Sequence, residues 1–296
     1  MVYTRPADLD ITLADCSPCP SPRRVVLTTP THFEVEYVIN PHMAKHVGAV
    51  DHDAAQSQWN ALREAYESLR IAPVILEGVE GLPDMVFCAN QSLPFRQPDG
   101  ATGVVLSRMH APERQAEVPH FKRFFASQDY AIRTLPDEIA TDFEGMGDAI
   151  WHPGHYLLWG GYGFRTGRSA YDALSTMLDV PVVVLELDDP AFYHLDTCFS
   201  VLDADSVLIY PEVFTGEGRA LIDHFFSTVI EAPENEARSQ FACNAHCPDG
   251  EHVLIQAGCH TTNQRLRHAG FTPIELDTSE FLKSGGSVFC MKLMIW

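Results

Sequence analysis

The feature that most constrains this chain is a recurrence of turn signals. QPDG (97–100), HPGH (152–155), LDADS (202–206) and CPDGEH (247–252) stand about 45–55 residues apart. A period of that size marks repeated supersecondary units. Each turn lies between two strand-like runs, such as MVFCANQSLPF and TGVVLSRM around the first. Asp-Gly and Pro-Gly turns between apolar runs predict hairpins. A helix-like stretch follows each hairpin, at 113–127, 168–179, 216–227 and 260–268, and a short strand follows each helix. One more helix falls at 52–70, before APVILEG. RRVVLTTP (23–30) and the distant SVFCMKLMIW form a fifth hairpin if the chain closes on itself. The expected fold is α/β, a ring of five hairpin–helix–strand units in a single domain over residues 23–296. An ordinary mixed sheet is the alternative. Residues 1–22, polar and Pro-rich, read as a loose N-terminal arm.

Charge narrows the partners. The chain has 20 Lys+Arg against 40 Asp+Glu, a net charge of −20. Such a chain is repelled by phosphate backbones and anionic lipid, so nucleic acid and membrane are excluded as partners. A small cationic substrate is compatible with it. A homo-oligomer stays open. No apolar run reaches the roughly 18 residues of a membrane span. The first residues carry acids and no apolar core of a secretory leader. A cytoplasmic location is therefore expected, with the eight cysteines as thiols.

Reactive residues gather at the starts of the hairpins. Asp84 and Asn90 lie in LPDMVFCAN, Glu144 and Asp148 in DFEGMGDAIW, His194 and Asp196 in FYHLDTCF, and Cys290 in SGGSVFCMKL. In a ring of repeats, equivalent positions converge on the axis. Cys290 is either a small buried hydrophobe or a nucleophile. Gly285-Gly286 just before it allow close approach of backbone to a ligand. His194 is either a hydrogen-bonded core histidine or an acid/base group oriented by a nearby carboxylate. Glu144 and Asp148 flank a Gly-rich turn, and can bind a cation or set a histidine pKa. CSPC (16–19) and CNAHC (243–247) compete as a zinc constellation, with unusual spacing in the second pair. P-loop, G-x-G-x-x-G and G-x-S-x-G patterns are missing, so nucleotide use has no support.

LPDMVFCAN, FEGMGDAIW, GYGFRTG, YHLDTCF and DTSEFLKSGGSVFCM occur in this order. Together they resemble the guanidine-modifying enzymes of the pentein superfamily: arginine deiminases, dimethylargininases, amidinotransferases and arginine dihydrolases. The resemblance runs from about residue 24 to the end of the sequence. It implies a five-bladed α/β propeller and a reaction that needs no metal or organic cofactor. It implies Cys290 as nucleophile, His194 as acid/base, and Glu144 as the acid pairing with guanidinium and histidine. Asp196 is then a guanidinium-binding acid, and Asn40 and Asn90 are substrate contacts. Arg165 is a clamp for the substrate carboxylate. Arg108 looks like a second clamp, with Arg114 close enough to compete.

Two departures matter. Deiminases and dimethylargininases typically carry Asp where Asn90 stands, and the LPDMVFxAN form resembles the dihydrolase branch. Phe289 stands where many relatives of that branch have Lys or Arg. The resemblance thus implies a hydrolase of arginine's guanidino group working through a covalent cysteine intermediate. The products are ornithine, ammonia and carbon dioxide, or citrulline and ammonia. Dimethylargininase and amidinotransferase are the neighbouring activities, and a non-catalytic arginine-binding protein is the alternative from another class.

Overall fold

A computed structural model describes residues 1–296. It holds five separate sheets rather than one mixed sheet. In the second sheet, Ser92–Arg96 and Thr102–Leu106 form an antiparallel hairpin, and Ala131–Thr134 adds in parallel. The third pairs Ala149–Trp151 with Leu158–Tyr162 and then Val182–Glu186. The fourth pairs Phe199–Val201 with Ser206–Ile209 and then Thr228–Glu231. The fifth pairs His252–Gln256 in parallel with Thr272–Leu276, and its hairpin shrinks to one antiparallel bridge, His246 to Leu254. The first sheet closes the chain. Arg24–Thr28 pairs antiparallel with Leu293–Ile295 and in parallel with Ala72–Leu76.

A parallel return needs a crossover, and a helix supplies it each time. His52–Ser68, Val118–Ser127, Ser169–Leu178, Gly216–Phe225 and His260–His268 fall where the sequence places helices. The expected helix at 113–127 is broken, with a separate turn at Pro112–Gln115, because Pro119 belongs in a helix's first turn. His52–Ser68 begins on an N-cap, with Asp51 accepting from Ala54 N. It buries Ala55, Trp59, Leu62 and Tyr66 at helical spacing. The central strands bury both faces, which explains continuous runs such as Val182–Leu185 and Val207–Ile209.

Residues 1–22 are not a loose arm. Val2 and Tyr3 add a parallel strand beside Val182 and Val183. Pro18 bridges His155, and Cys16 and Cys19 are buried. The apolar positions Tyr3, Cys16 and Cys19 among the prolines have enough surface to dock the segment. No helix is long and apolar enough to cross a membrane.

Candidate active site

Polar side chains from several of the units meet in one cavity of about 290 Å³. Asp84, Asn90, His194 and Cys290 are delivered by segments just ahead of a hairpin's first strand, whereas Asn40, Arg114 and Arg165 follow a strand. Short helical turns at Pro83–Val86, Gly145–Asp148 and Leu195–Thr197 lead into the second, third and fourth sheets. Asn244 leads into the fifth, and Cys290 into the first. One turn depends on glycine. Gly145 has φ of +54°, and a Cβ there would lie 2.5 Å from the Ser92 carbonyl oxygen. Gly285 has φ of +85°, and Gly286 packs against the Phe87 ring.

Cys290, Asp196 and Asn244 form one cluster. The Cys290 thiol donates to Asp196 Oδ2 at 3.2 Å, and Asn244 Nδ2 donates to Cys290 Sγ at 3.1 Å. Asn244 Oδ1 accepts from the backbone amides of Ser287 and Cys290, which fixes the cysteine loop. Burial, then the Asp196 carboxylate, pushes the thiol well above its ordinary pKa. Burial likewise lifts the Asp196 carboxyl to about 7, against hydrogen bonding from Cys290 and the charge of Lys292. Asp196 Oδ1 is buried with no hydrogen-bond partner. A buried acceptor left open is costly, and here it awaits a donor.

His194 and Glu144 form a second cluster. His194 Nε2 lies 2.6 Å from Glu144 Oε2, and both side chains are buried. Burial would raise the Glu144 carboxyl. The hydrogen bond and charge of His194, with Arg165 and Arg114, outweigh it and hold Glu144 at about 2. An ionised Glu144 keeps the proton on Nε2, so Nδ1 is the nitrogen free to exchange one. Asn90 Nδ2 faces Nδ1 at 3.5 Å.

Two arginines line the cavity. Arg165 stacks 4.9 Å from the Tyr193 ring centroid, donates to the Ile39 carbonyl and lies 3.6 Å from Glu144. Arg114 donates to Asn90 Oδ1 at 2.9 Å, pairs with Glu117 and is buried. Asn40 also lines the cavity, donating to the Ser284 carbonyl at 3.0 Å.

Cys290, His194, Asn90, Asn40 and Arg165 therefore share the cavity wall, with Glu144 and Asp196 bonded directly to wall residues. Two expected residues do not join them. Arg108 turns away, and its guanidinium donates to the carbonyls of Ile139, Thr141 and Leu135. Arg114 occupies the wall instead, because the short helical turn at Pro112–Gln115 aims it inward. Asp148 sits behind the cavity, accepting from Thr166 Oγ1 at 2.6 Å and from Leu195 N at 3.0 Å. It anchors the histidine loop and does not face the cavity.

Sequence reasoning missed Asn244 and Tyr193, and named Asp84 without giving it a role. Asp84 lines the cavity and accepts from Ser284 Oγ at 2.8 Å. Asn244 carried a usable signal, since it holds in the fifth unit the place that His194 and Asp196 hold in the fourth. The cysteines weighed for zinc are all free and buried, and no group of three or more His, Cys, Asp or Glu is arranged to hold a metal ion. A larger cleft exists elsewhere. The smaller cavity is the candidate active site because nucleophile, base and anionic acceptors converge there.

The arginine deiminase family model matches residues 78–244. The chain belongs to this family, the guanidine-modifying hydrolases of the pentein superfamily. It is 38% identical to an N(G),N(G)-dimethylarginine dimethylaminohydrolase of Mycobacterium tuberculosis, over 93% of this chain and 87% of that protein. It is 34% identical to the bifunctional arginine dihydrolase/ornithine cyclodeaminase ArgZ of a Synechocystis strain, over 92% of this chain. The match spans only 37% of that longer relative. The crystal structure of the N-terminal domain of ArgZ bound to substrate superposes with a TM-score of 0.85, over 92% of this chain and 97% of that domain, at 34% identity.

Proposed function

We propose that this chain hydrolyses carbon–nitrogen bonds of the guanidino group of L-arginine, with ornithine, ammonia and carbon dioxide as products. The observation that carries the reading is the Cys290–Asp196 pair at 3.2 Å, with an Asp196 oxygen left without a partner and Cys290 on the wall of the cavity that His194 also lines. In this reading the five sheets are the blades of a propeller, residues 23–296 act as one catalytic unit, and the cavity lies on its axis.

A guanidinium carbon is a poor electrophile because three nitrogens share its charge. Asp196 accepts from it through the open Oδ1, and the cation lowers the cost of a Cys290 thiolate. The thiol proton passes to His194 Nδ1, and the thiolate attacks the carbon. His194 gives a proton to the departing nitrogen, and ammonia leaves. The amidino carbon stays bonded to Cys290 Sγ. His194 Nδ1 then takes a proton from a water that attacks this carbon. Collapse of this adduct breaks a second carbon–nitrogen bond and releases a second ammonia, which leaves a thiocarbamate on Cys290 Sγ. A second water then breaks the carbon–sulfur bond and frees Cys290, and the ornithine carbamate so formed loses carbon dioxide, which breaks the third carbon–nitrogen bond and gives ornithine. Arg165, on the cavity wall, holds the substrate carboxylate.

Asn90 supports two cleavages over one. It places an amide, not a second carboxylate, beside His194, so the intermediate is not held by an extra anion. A crystal structure of the ArgZ domain with an asparagine-to-serine change is described as covalently bound to a reaction intermediate. The dimethylargininase reading is the alternative that the mycobacterial relative favours.

The test is an incubation of purified protein with L-arginine, and separately with N(G),N(G)-dimethyl-L-arginine. Citrulline, ornithine, ammonia and dimethylamine are quantified together. Ornithine with two equivalents of ammonia is expected. Citrulline alone from arginine makes the chain a deiminase, and dimethylamine without turnover of arginine makes it a dimethylargininase. Cys290→Ala is expected to abolish turnover with the fold kept, and residual turnover above a thousandth would remove Cys290 as nucleophile.

A further inference from the structure

The larger cleft has about 690 Å³ of free space, counting the part open to solvent. Its rim includes the exposed Pro20, Ser21 and Gly154, and its floor the buried Met146, Phe289 and Lys292. Three loops serve both cavities. Glu144 and Met146, Asn244 and His246, and Cys290 and Lys292 are pairs two residues apart. The first of each pair belongs to the catalytic network, and the second lines this cleft.

Lys292 is anomalous among them. Its side chain is fully buried, yet it enters none of the chain's ion pairs. Its ammonium rests 3.1 Å from the centroid of the Phe289 ring. A cation–π contact replaces only part of the lost hydration. Burial accordingly pulls its pKa down to about 7, with Asp196, Cys88 and Cys290 opposing. The cleft wall has no Asp or Glu, on a chain with 40 of them. Half of its lining residues are hydrophobic, Ile150, Trp151 and Met294 among them. An apolar wall with no acid on it and a buried amine at the floor form a site for an anion with an apolar body.

We propose that this cleft binds a small carboxylic acid with an apolar body, its carboxylate paired with the Lys292 ammonium. The pair is charge-assisted and screened from water, where such a bond is strong. Because Lys292 shares its loop with Cys290, the ligand sits back to back with the catalytic cavity.

The probe is 4-phenylbutyrate, with its uncharged isostere 4-phenylbutyramide, measured by isothermal titration calorimetry at pH 7. The acid is expected to bind on the order of tenfold tighter than the amide. Lys292→Met removes that advantage, and Lys292→Arg keeps it. Met146→Trp fills the floor with the lysine in place, and is expected to abolish binding if the methionine variant fails to fold. Arg165→Ala is expected to leave acid binding unchanged. Equal binding of acid and amide overturns the proposal, as does no binding at all. Loss of binding in Arg165→Ala also overturns it, since the acid then sits in the catalytic cavity. None of these readouts depends on arginine being the substrate.

Discussion

Arg114 Nη1 donates to Asn90 Oδ1 at 2.9 Å, and the other end of the same amide faces His194 Nδ1 at 3.5 Å. The guanidinium has no acceptor, so it fixes which end of the amide points at the histidine. Asp at position 90 would instead turn one carboxylate oxygen toward Nδ1 and favour the imidazolium. Asn90→Asp is expected to shift the products from ornithine toward citrulline. The check is the ornithine-to-citrulline ratio at equal turnover, and an unchanged ratio shows that position 90 does not choose the outcome.

Arg165 and Arg108 make a contrasting pair. Arg165 is buried on the cavity wall, whereas Arg108 spends its donors on backbone carbonyls of the 135–141 segment. Arg165→Ala is expected to raise KM for arginine by about 10- to 100-fold, the effect of losing a buried charge-assisted pair. Arg108→Ala is expected to leave KM within about twofold and to lower stability by roughly 1 kcal/mol through its lost hydrogen bonds. Steady-state kinetics and urea unfolding on both variants decide it. A large KM effect in Arg108→Ala would restore that residue as a clamp.

Much of this arrangement is legible in the sequence because the fold repeats. The turns about 50 residues apart locate the hairpins, and Glu144, His194 and Cys290 then stand at equivalent places. What escapes is side-chain direction within one turn. Arg108 and Arg114 lie six residues apart in one segment, and only the helical turn at Pro112–Gln115 decides which faces inward. Asp148 escapes for the same reason. It follows Glu144 by one helical turn, but Thr166 and Leu195 N draw it behind the cavity. Residues 1–22 mislead because composition records many prolines and little of the docking of Tyr3, Cys16 and Cys19.

Asp196 is expected to cost the free protein stability at neutral pH. Its carboxyl titrates at about 7 when folded, against an ordinary value of 3.8. Between those values the folded chain holds the extra proton, so this group's share of stability falls as pH rises from about 4 to 7. The slope is at most about 1.4 kcal/mol per pH unit. Asp196→Asn removes it. The variant is expected to gain stability relative to the parent between pH 5 and pH 8, while losing activity. Urea midpoints at the two pH values test this, and a stability difference independent of pH removes Asp196 as the titrating group. Glu144 works in the opposite sense, because its folded carboxyl is held at about 2. Its contribution is present above about 4.5 and is lost as pH falls toward 2, which keeps the two groups separable.

Gly145 ties the local backbone to the chemistry. Its φ of +54° is unfavourable for other residues, and a Cβ would approach the carbonyl oxygens of Ser92 at 2.5 Å and Asn90 at 2.8 Å. Both neighbours are backbone, so neither can swing aside. Gly145→Ala is expected to cost about 1–3 kcal/mol from strain and to displace Glu144, which precedes it, from His194 Nε2. The catalytic loss should then exceed the loss of folded protein, with kcat falling at least about tenfold in material that is still folded. Gly154→Ala is the control. It carries a φ of +80° on the hairpin turn after His152, but its Cβ would meet nothing within 4 Å. It is expected to lose about 1 kcal/mol with kcat unchanged. Equal kinetic behaviour of the two variants would show that close packing at Gly145 does not hold Glu144 in register with His194.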